Sequence, residues 1–313
     1  MPIFQDFYFS SSTGMNRVHA RKCLPDGAPR AVIQIAHGIA EYIERYDDFM
    51  SFLAENGFVV AGNDHLGHGK TAESLSDLGF FAPEHGWDSV VKDMDRLREI
   101  MRAQYPDLPY IFFGHSMGSF LTRTYIIKNP GKYDAVILSG TGHQSKALVL
   151  AGLAAAKAAV KLGGPRADGK LLNDMAFGTY NRKVPFPMTD FDWLSRDYEN
   201  VKKYIADPLC GFVAKASLYR DMMGGIKFVT DQKNIDLMNK EAPVYFMSGD
   251  KDPVGDYGAG VERAYRAFCS AGLRDVFIRL YPGGRHEMLN ETNREQVFAD
   301  VLDWLNEKLP KIS

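Results

Sequence analysis

The sequence predicts an α/β protein with a mostly parallel central sheet, helices on both faces and an inserted, mainly helical cap. Short buried apolar runs alternate with helical stretches along most of the 313 residues, which is typical of parallel sheets covered on both sides. The alternation stops between about Gly140 and Ala216, a segment rich in alanine, aromatic and turn residues. We therefore assign residues 1–140 and 217–313 to the core and residues 141–216 to the cap.

The first half of the core begins with a predicted hairpin and continues with buried strands. Residues 4–10 and 17–23 flank a Ser-Ser-Thr-Gly turn, which predicts two antiparallel strands. Apolar residues recur at helical spacing ahead of Asn56-Gly57, which predicts a helix that ends there. A second amphipathic helix is predicted over residues 90–104. Buried strands are predicted at residues 31–36, 58–62, 110–113 and 135–139.

After the cap, strand and helix patterns alternate again. Strands are predicted at residues 244–248 and 275–281, and helices at residues 261–271 and 297–309. The first strand runs into Gly-Asp-Lys-Asp-Pro and the second into Pro-Gly-Gly-Arg-His-Glu. The chain thus returns to the same sheet and places polar loops at the strand ends.

Composition and cysteine content limit the class of protein. Charged residues make up 24% of the chain and the formal net charge is -2, so nothing indicates a nucleic-acid partner. The three cysteines lie far apart, without metal or disulfide spacing, which favours a reducing compartment. We find neither a signal-peptide pattern nor an apolar run of about 20 residues. We expect a cytoplasmic protein that associates with membranes only peripherally, if at all.

The motif Gly114-His115-Ser116-Met117-Gly118 follows a predicted buried strand and precedes a predicted helix. This context is typical of a nucleophile elbow, in which a sharp turn holds the serine out of the fold at a helix N-terminus. The glycines allow strand and helix to pass closely. Ser116 is therefore the candidate nucleophile. The backbone N–H of Met117 is a candidate donor to an oxyanion, because helix N-termini favour negative charge.

Asp252 and His286 follow the ends of the two strands predicted after the cap. Because the carboxyl ends of parallel strands meet at one edge of a sheet, we expect both side chains near Ser116. The chain order serine, acid, histidine is the one expected for an elbow on such a sheet. His286 would act as general base and Asp252 would orient it. Asp250 is the alternative acid, which we interpret as a loop-capping residue.

The loop after the third predicted strand begins with His37 and is expected to supply a second oxyanion donor. The backbone N–H of Ile39 is our candidate, because Gly38 before it allows close approach of the backbone. We interpret His37 as a residue that shapes this loop.

Asp64, His65 and His68 lie on a Gly-rich loop and allow two interpretations. The three side chains have the types that ligate zinc. A structural turn is the alternative, and we favour it because no second histidine, cysteine or carboxylate cluster matches the first. The sequence thus predicts no metal and no cofactor.

Five separated motifs, in chain order, resemble the monoacylglycerol lipase and lysophospholipase group of α/β-hydrolases. They are HGIAE at residues 37–41 with RY at 45–46, DHLGHGK at 64–70, GHSMG at 114–118, GDKDP at 249–253 and GGRHE at 283–287. The resemblance covers nearly the whole core and is weak over about residues 142–210. It implies an α/β-hydrolase fold and a serine esterase that acts on a single acyl chain without a cofactor. It also implies Ser116, Asp252 and His286 as the triad, with the Ile39 and Met117 amides as the oxyanion hole.

The predicted cap carries a basic stripe on an otherwise apolar helix. Lys146, Lys157 and Lys161 fall within about 60° of one another at 100° per residue. The helix either rests on a lipid interface or packs on the core with its lysines in solvent, and we favour the second arrangement. In both arrangements the cap is apolar and aromatic enough to line an acyl tunnel.

We therefore expect a carboxylester hydrolase for monoacylglycerols or lysophospholipids, with a small lipid or ester molecule as its partner. The leaving group, the acyl length and the oligomeric state stay open. One alternative is a small-molecule carboxylesterase with a short-chain preference. A serine aminopeptidase-like enzyme is another, and it needs an acidic amine-binding patch in the cap. Candidates for that patch are Asp190, Asp192, Asp197 and Glu199.

Overall fold

Eight strands form one sheet in the computed structural model, which describes residues 2–312 and the side chains of residues 2–310. The strands are β1 (Ile3–Ser10), β2 (Arg17–Leu24), β3 (Ala31–Ala36), β4 (Phe58–Asn63), β5 (Tyr110–His115), β6 (Ala135–Ser139), β7 (Val244–Gly249) and β8 (Val276–Tyr281). Their order is β1-β2-β4-β3-β5-β6-β7-β8. The β1–β2 and β2–β4 pairs are antiparallel, and the other neighbours are parallel. The predicted mostly parallel sheet is confirmed.

Helices cover both faces of the sheet. They are α1 (Asp47–Glu55), α2 (Gly86–Gln104), α3 (Met117–Lys128), α4 (Lys146–Gly163), α5 (Lys170–Phe177), α6 (Tyr198–Ala206), α7 (Ala216–Val229), α8 (Gln232–Ile235), α9 (Ala259–Ser270) and α10 (Arg294–Ile312). Short 3-10 turns lie at Ile43–Tyr46, Gly69–Thr71, Leu75–Asp77, Tyr180–Lys183 and Met288–Asn290. Within the described residues, none of the helices combines the length and hydrophobicity that crossing a bilayer requires.

The central strand β5 shows why the predicted apolar run is continuous. Ile111 and Phe113 pack on one face with residues of α1 and α10. Tyr110 and Phe112 point to the other face and pack with α2 and α3. Successive side chains of a strand alternate between faces, so a strand covered by helices on both sides needs apolar residues at every position. Each such buried side chain contributes about 1.5–3 kcal/mol to folding.

The insertion between β6 and α7 holds α4, α5 and α6. Along α4 only Val149 and Ala156 are buried, so most of this helix faces outward. The only strand-like pairing described in the insertion is the isolated bridge between Asp168 and Lys215. We keep the predicted division and refer to residues 141–216 as the cap.

Arg123 on α3 contacts the start of the cap and the end of α7, the helix that follows the cap. Its guanidinium is fully buried and donates to the carbonyl of Gly142, where the cap begins, at 2.7 Å. It also donates to the carbonyl of Val229, the last residue of α7, at 2.8 Å. Burial lowers the pKa of Arg123 to about 9. The same side chain thus connects the start of the cap and the end of α7 to the helix that follows Ser116.

The boundaries of three helices differ from the sequence prediction, and one of them, α9, spans Ala259–Ser270 instead of the predicted 261–271. Helix α2 begins at Gly86, four residues before the predicted start, because Asp221 of α7 accepts a hydrogen bond from the Gly86 N–H at 3.1 Å. Helix α10 spans Arg294–Ile312, beyond the predicted 297–309 at both ends. A helix-capping group supplied by a residue 135 positions away cannot be detected in a local sequence pattern.

Candidate active site

Ser116 occupies a strained turn between β5 and α3. Its backbone has φ 52° and ψ -122°, a conformation that costs a non-glycine residue about 1–3 kcal/mol. A Cβ on Gly118 would lie 2.0 Å from the carbonyl oxygen of Ala36. Likewise, a Cβ on Gly114 would lie 2.5 Å from Thr122 Oγ1. Both glycines of the motif are therefore required for the close approach of helix and strand.

Asp252 and His286 lie in the loops after β7 and β8 and are hydrogen-bonded to each other. Asp252 Oδ1 is 3.0 Å from His286 Nδ1. The carboxylate also accepts from the Val254 N–H at 2.9 Å and from the Ser248 hydroxyl at 3.0 Å. The rival Asp250 instead accepts from the N–H of Gly283 at 2.8 Å, which holds the two loops together.

Charge and burial act in opposite directions on this pair. Both side chains are buried, which on its own disfavours each charged form. Asp252 nevertheless has a lowered pKa, because His286 and two further donors stabilise its charge. Burial lowers the pKa of His286, but the negative charge of Asp252 outweighs it and the net shift is upward. The pair therefore holds a charged carboxylate beside an imidazole of increased basicity.

Ser116 and His286 line one cavity of about 440 Å³. In the part of the chain that the structure describes, Ser116 Oγ makes no hydrogen bond to the imidazole. In unliganded sites, such contacts are often long or poorly aligned and shorten when substrate binds.

The two candidate oxyanion donors flank Ser116. A Cβ on Gly38 would lie 3.1 Å from Ser116 Cβ, so the segment that carries Ile39 runs directly beside the serine. Met117 is the first residue of α3. Neither the Ile39 N–H nor the Met117 N–H donates a hydrogen bond to another described residue. Both donors are thus available, and their catalytic role stays a prediction.

A buried ion network connects the loop of Ile39 to the loop of His286, and sequence analysis did not detect it. Glu41 accepts from the Gly38 N–H at 2.5 Å and from the Tyr46 hydroxyl at 2.8 Å. Arg45 contacts Glu41 at 2.7 Å and binds both carboxylate oxygens of Glu287 at 2.7 Å. Burial opposes ionisation of Glu287, but Arg45 lowers its pKa to about 2. Arg45 and Glu287 therefore form a charged pair.

His37 has a structural role in the same loop. Its Nδ1 is 2.7 Å from the carbonyl oxygen of Gly38, and its Nε2 accepts from the His65 N–H at 2.9 Å. Both ring nitrogens are thus engaged with backbone, and burial lowers the pKa of the ring. This arrangement agrees with the interpretation of His37 as a loop-shaping residue.

The Gly-rich loop around Asp64 is held by hydrogen bonds to the carboxylate. Asp64 accepts from the Ile43 N–H at 2.9 Å and from the Lys70 N–H at 2.8 Å. Among the described residues, Asp64, His65 and His68 do not form a group with metal-ligand spacing. The structure therefore favours the turn over the metal site at this loop.

A different group does have metal-ligand spacing within residues 2–312, formed by Asp6, His19 and Glu44. Its carboxylates already bind cations, since Asp6 contacts Arg21 at 2.7 Å and Glu44 binds Lys70. Asp6 and His19 belong to the N-terminal hairpin, and none of the three residues lines the cavity of Ser116. The absence of a metal and of a cofactor at Ser116 stays a prediction.

The sequence profile of the serine aminopeptidase S33 family matches residues 27–293. The chain belongs to this family. The match spans the cap and all of the core except the N-terminal hairpin and α10. The α/β-hydrolase resemblance inferred from the five motifs is confirmed, and the chain is an enzyme of the hydrolase class.

Three relatives illustrate what this S33-family chain is similar to. A monoacylglycerol lipase of Mycolicibacterium smegmatis is 31% identical over 290 residues, which is 90% of each chain. A phospholipase of Bacillus subtilis is 26% identical over 276 residues, 86% of this chain and 93% of its own. The crystal structure of a thermostable carboxyl esterase from Bacillus coagulans in complex with glycerol is 31% identical, with a TM-score of 0.91 over 98% of this chain and 99% of that one.

In this S33-family chain, Ser116 stands where two cavities meet. One cavity, of about 210 Å³, is predominantly apolar, and its walls include Met117, Phe120, Leu148, Val149, Leu172, Met175, Met222 and Ile226. The other, of about 440 Å³, lies on the side of His286 and has both polar and apolar walls; we call it the polar cavity because of its carboxylates. Among the described residues, four carboxylates and one lysine line the polar cavity: Glu41, Asp174, Asp190, Glu287 and Lys170. The site can therefore hold a molecule with an apolar part and a polar part joined at Ser116.

Proposed function

We propose that this protein is a serine carboxylester hydrolase for single-chain acyl esters, with monoacylglycerols as its preferred substrates. The position of Ser116 between an apolar and a polar cavity carries the proposal. An ester of one fatty acid and a small polyol has the same division. The names of the relatives from M. smegmatis and B. coagulans support this substrate class.

In the proposed mechanism, His286 Nε2 takes the proton of Ser116 as Oγ attacks the ester carbonyl. Asp252 fixes the imidazole through Nδ1 and stabilises the imidazolium. The N–H groups of Ile39 and Met117 bind the oxyanion, and one such donor contributes about 2.7–4 kcal/mol to transition-state stabilisation. His286 then protonates the departing alcohol. Water, activated by the same imidazole, hydrolyses the acyl-enzyme.

The apolar cavity fits an acyl chain. Its walls come from α3, α4, α5 and α7, so cap and core both contribute. Each methylene that it removes from water contributes about 0.8 kcal/mol to binding. A chain bound there can place its carboxyl carbon next to Ser116, because Ser116 and Met117 belong to the lining of the cavity.

The polar cavity favours a neutral leaving group over a phosphate. Lys170, the cation in its lining, is paired with Asp174 at 3.1 Å, and Arg45 is paired with Glu41 and Glu287. Among the described lining residues, Asp190 is therefore the carboxylate without a paired cation, and a phosphodiester brought next to it meets like charge. A glycerol hydroxyl can instead donate to a carboxylate. We therefore place monoacylglycerols before lysophospholipids.

An aminopeptidase activity is the second candidate, because an acidic cavity also suits an ammonium group. Of the four predicted acids of the cap, only Asp190 lines the cavity among the described residues. Asp192 accepts from the Met188 N–H at 2.6 Å. Asp197 caps α6, and Glu199 pairs with Lys202 at 2.9 Å. Three of the four acids are thus engaged elsewhere, which makes this candidate the weaker one.

Cytoplasmic residence with peripheral membrane contact through the cap belongs to the same proposal. Lys146, Lys157 and Lys161 are exposed on α4, and Leu162 at its end is 88% exposed. An apolar helix surface flanked by lysines is suited to the boundary of an anionic lipid layer. Sedimentation with anionic vesicles, compared with zwitterionic ones, tests this part separately.

The decisive experiment compares wild type with Ser116→Ala on a matched panel. The panel contains a medium-chain and a long-chain monoacylglycerol, a lysophosphatidylcholine, a short-chain p-nitrophenyl ester and a proline p-nitroanilide. We expect monoacylglycerol to be hydrolysed best, and the variant to be inactive. Activity on the short ester alone would indicate a small-molecule carboxylesterase, and preference for the anilide an aminopeptidase. Equal activity of Ser116→Ala would contradict the mechanism.

A further inference from the structure

The cap segment just before α6 is hydrogen-bonded to the loop that carries His286. We call residues 192–196 the strap. The N–H of Glu287 donates to the carbonyl of Leu194 at 2.8 Å, and the N–H of His286 donates to the carbonyl of Trp193 at 3.4 Å. The strap thus binds the backbone of the histidine and of the residue after it.

Side chains strengthen the same contact. Arg285 donates to the carbonyl of Asp192 at 2.5 Å and to that of Ser195 at 3.0 Å. Arg196 donates through its backbone N–H and its Nε to the buried carboxylate of Glu291, at 3.1 and 2.9 Å. Residues before and after His286 in the sequence therefore attach the strap to the loop that carries this histidine.

The strap also places an indole against the imidazole. The rings of Trp193 and His286 have centroids 5.0 Å apart and planes at 40°. Trp193 also contacts Tyr180, at 4.8 Å in an edge-on arrangement, and Phe177, stacked at 6.2 Å. The imidazole contacts His115 as well, at 4.7 Å. His286 is thus held between one ring of the cap and one ring of the core.

We propose that Trp193 is a positioning residue for His286, so that the cap completes the catalytic histidine site in addition to covering the substrate. This inference rests on the proposed function. Asp252 fixes one nitrogen of the imidazole but leaves rotation about that hydrogen bond open. Contact with a large flat ring, itself 9% exposed, restricts this rotation and keeps Nε2 directed toward Ser116. Misplacement of a catalytic group by about 1 Å can cost 100-fold in rate.

The kinetic test uses Trp193→Leu and Trp193→Phe with p-nitrophenyl acetate, whose acyl group is too short to depend on the apolar cavity. We expect Trp193→Leu to lower kcat by about 10- to 100-fold with KM little changed, and Trp193→Phe to retain most of the activity because a ring remains. A rise in KM with unchanged kcat would show that Trp193 binds the leaving group and would overturn the inference. Wild-type kcat in Trp193→Leu would overturn it as well.

A spectroscopic test observes the contact between Trp193 and His286 in the wild-type protein. A protonated imidazole quenches an adjacent indole, so the fluorescence of Trp193 should titrate with the charge of His286. We expect the fluorescence of the wild-type protein to change over the same pH range in which kcat/KM falls on the acid side of its pH profile. The transition should vanish in Trp193→Phe and in His286→Gln, and persist in Trp304→Phe, whose indole packs on Tyr245. The carboxylates of Asp252, Glu287 and Glu41 are the neighbouring groups that raise the pKa of His286 and so influence this transition.

His115 is the other titrating ring beside the pair, and its pKa is lowered to about 4, so its transition is separate. A fluorescence transition that survives His286→Gln would contradict the assigned contact. Reaction of wild type with a fluorophosphonate keeps the two proposals apart. If wild type neither reacts nor hydrolyses esters, the proposed function fails. If it does both and the Trp193 variants behave like wild type, only the positioning role fails.

Discussion

Arg45 binds Glu287 through two hydrogen bonds of 2.7 Å, one to each carboxylate oxygen, across 242 positions of sequence. The same guanidinium contacts Glu41, which in turn accepts from the Gly38 N–H. One side chain therefore couples the loop of the proposed oxyanion donor Ile39 to the residue next to His286. This coupling fixes the relative position of two loops that no strand joins.

Removal of Arg45 should be strongly destabilising. Arg45→Met leaves two buried carboxylates without their cation, and such a loss typically costs about 3–5 kcal/mol. The measurement is the free energy of unfolding in urea. Arg21→Met is the matched control, because Arg21 pairs with Asp6 and Asp47, which are 38% and 35% exposed, and should cost about 1 kcal/mol or less. Equal losses in the two variants would contradict this account of the network.

The second glycine of the elbow should not tolerate a side chain. Gly118→Ala places a Cβ 2.0 Å from the Ala36 carbonyl, so backbone must move, and we expect a loss of about 3 kcal/mol. Gly224→Ala on α7 is the control, since its Cβ meets no atom within 4 Å and should gain about 0.5–1 kcal/mol. Thermal unfolding of both variants measures the difference. A Gly118→Ala protein as stable as wild type would show that the elbow is looser than described.

Catalytic activity should fall at low pH, and the pKa of His286 should set the pH at which it falls. The imidazole must be neutral to accept a proton, and its pKa is raised above 6.5, so kcat/KM should decrease as the pH drops through that raised value. Asp252→Asn removes the charge that raises the pKa. We expect the acid limb to move to lower pH, while kcat falls by about 10⁴-fold. Asp250→Asn should leave the limb in place, because Asp250 binds the Gly283 N–H. A limb that moves in both variants would argue against Asp252 as the specific partner.

The preference of the enzyme for acyl-chain length should depend on a single position on α4. Gly152 lines the apolar cavity, and a Cβ there would lie 3.0 Å from Met223 Sδ, so Gly152→Leu fills the space. We expect kcat/KM for a long-chain monoacylglycerol to fall by about 10-fold or more, with hydrolysis of p-nitrophenyl acetate unchanged. Ala158→Leu, on the exposed side of the same helix, is the control. If both variants keep the wild-type chain preference, the acyl chain does not occupy this cavity.

Local sequence pattern was sufficient for the core of the fold. The predicted strands at 31–36 and 135–139 coincide with β3 and β6. Both strands are buried on each face, so their limits are marked by the abrupt change from apolar to polar residues. The start of α2 was missed because Asp221, which is distant in the sequence, supplies the carboxylate that caps the N-terminus of this helix.

The residues of the candidate site also fall into two groups, those with a local sequence signal and those without one. Ser116, Asp252 and His286 were inferred because each follows a strand end, where parallel sheets collect their loops. Arg45 and Trp193 were not inferred. Each acts through a contact that joins distant segments, Arg45 to Glu287 and Trp193 to His286, and neither contact leaves a periodic or spaced signal in the sequence.

The contacts of Arg123 bear on how the insertion can change over time. Its guanidinium holds Gly142 and Val229 by their carbonyl oxygens, groups that every amino acid carries. Anchorage of this kind places no requirement on side-chain identity at Gly142 or Val229. The cap, which lies between these two residues, is consequently free to diverge in sequence or length while its start and the end of α7 remain attached beside the elbow helix. Substrate preference can thus evolve through the insertion while the chemistry of the sheet stays fixed.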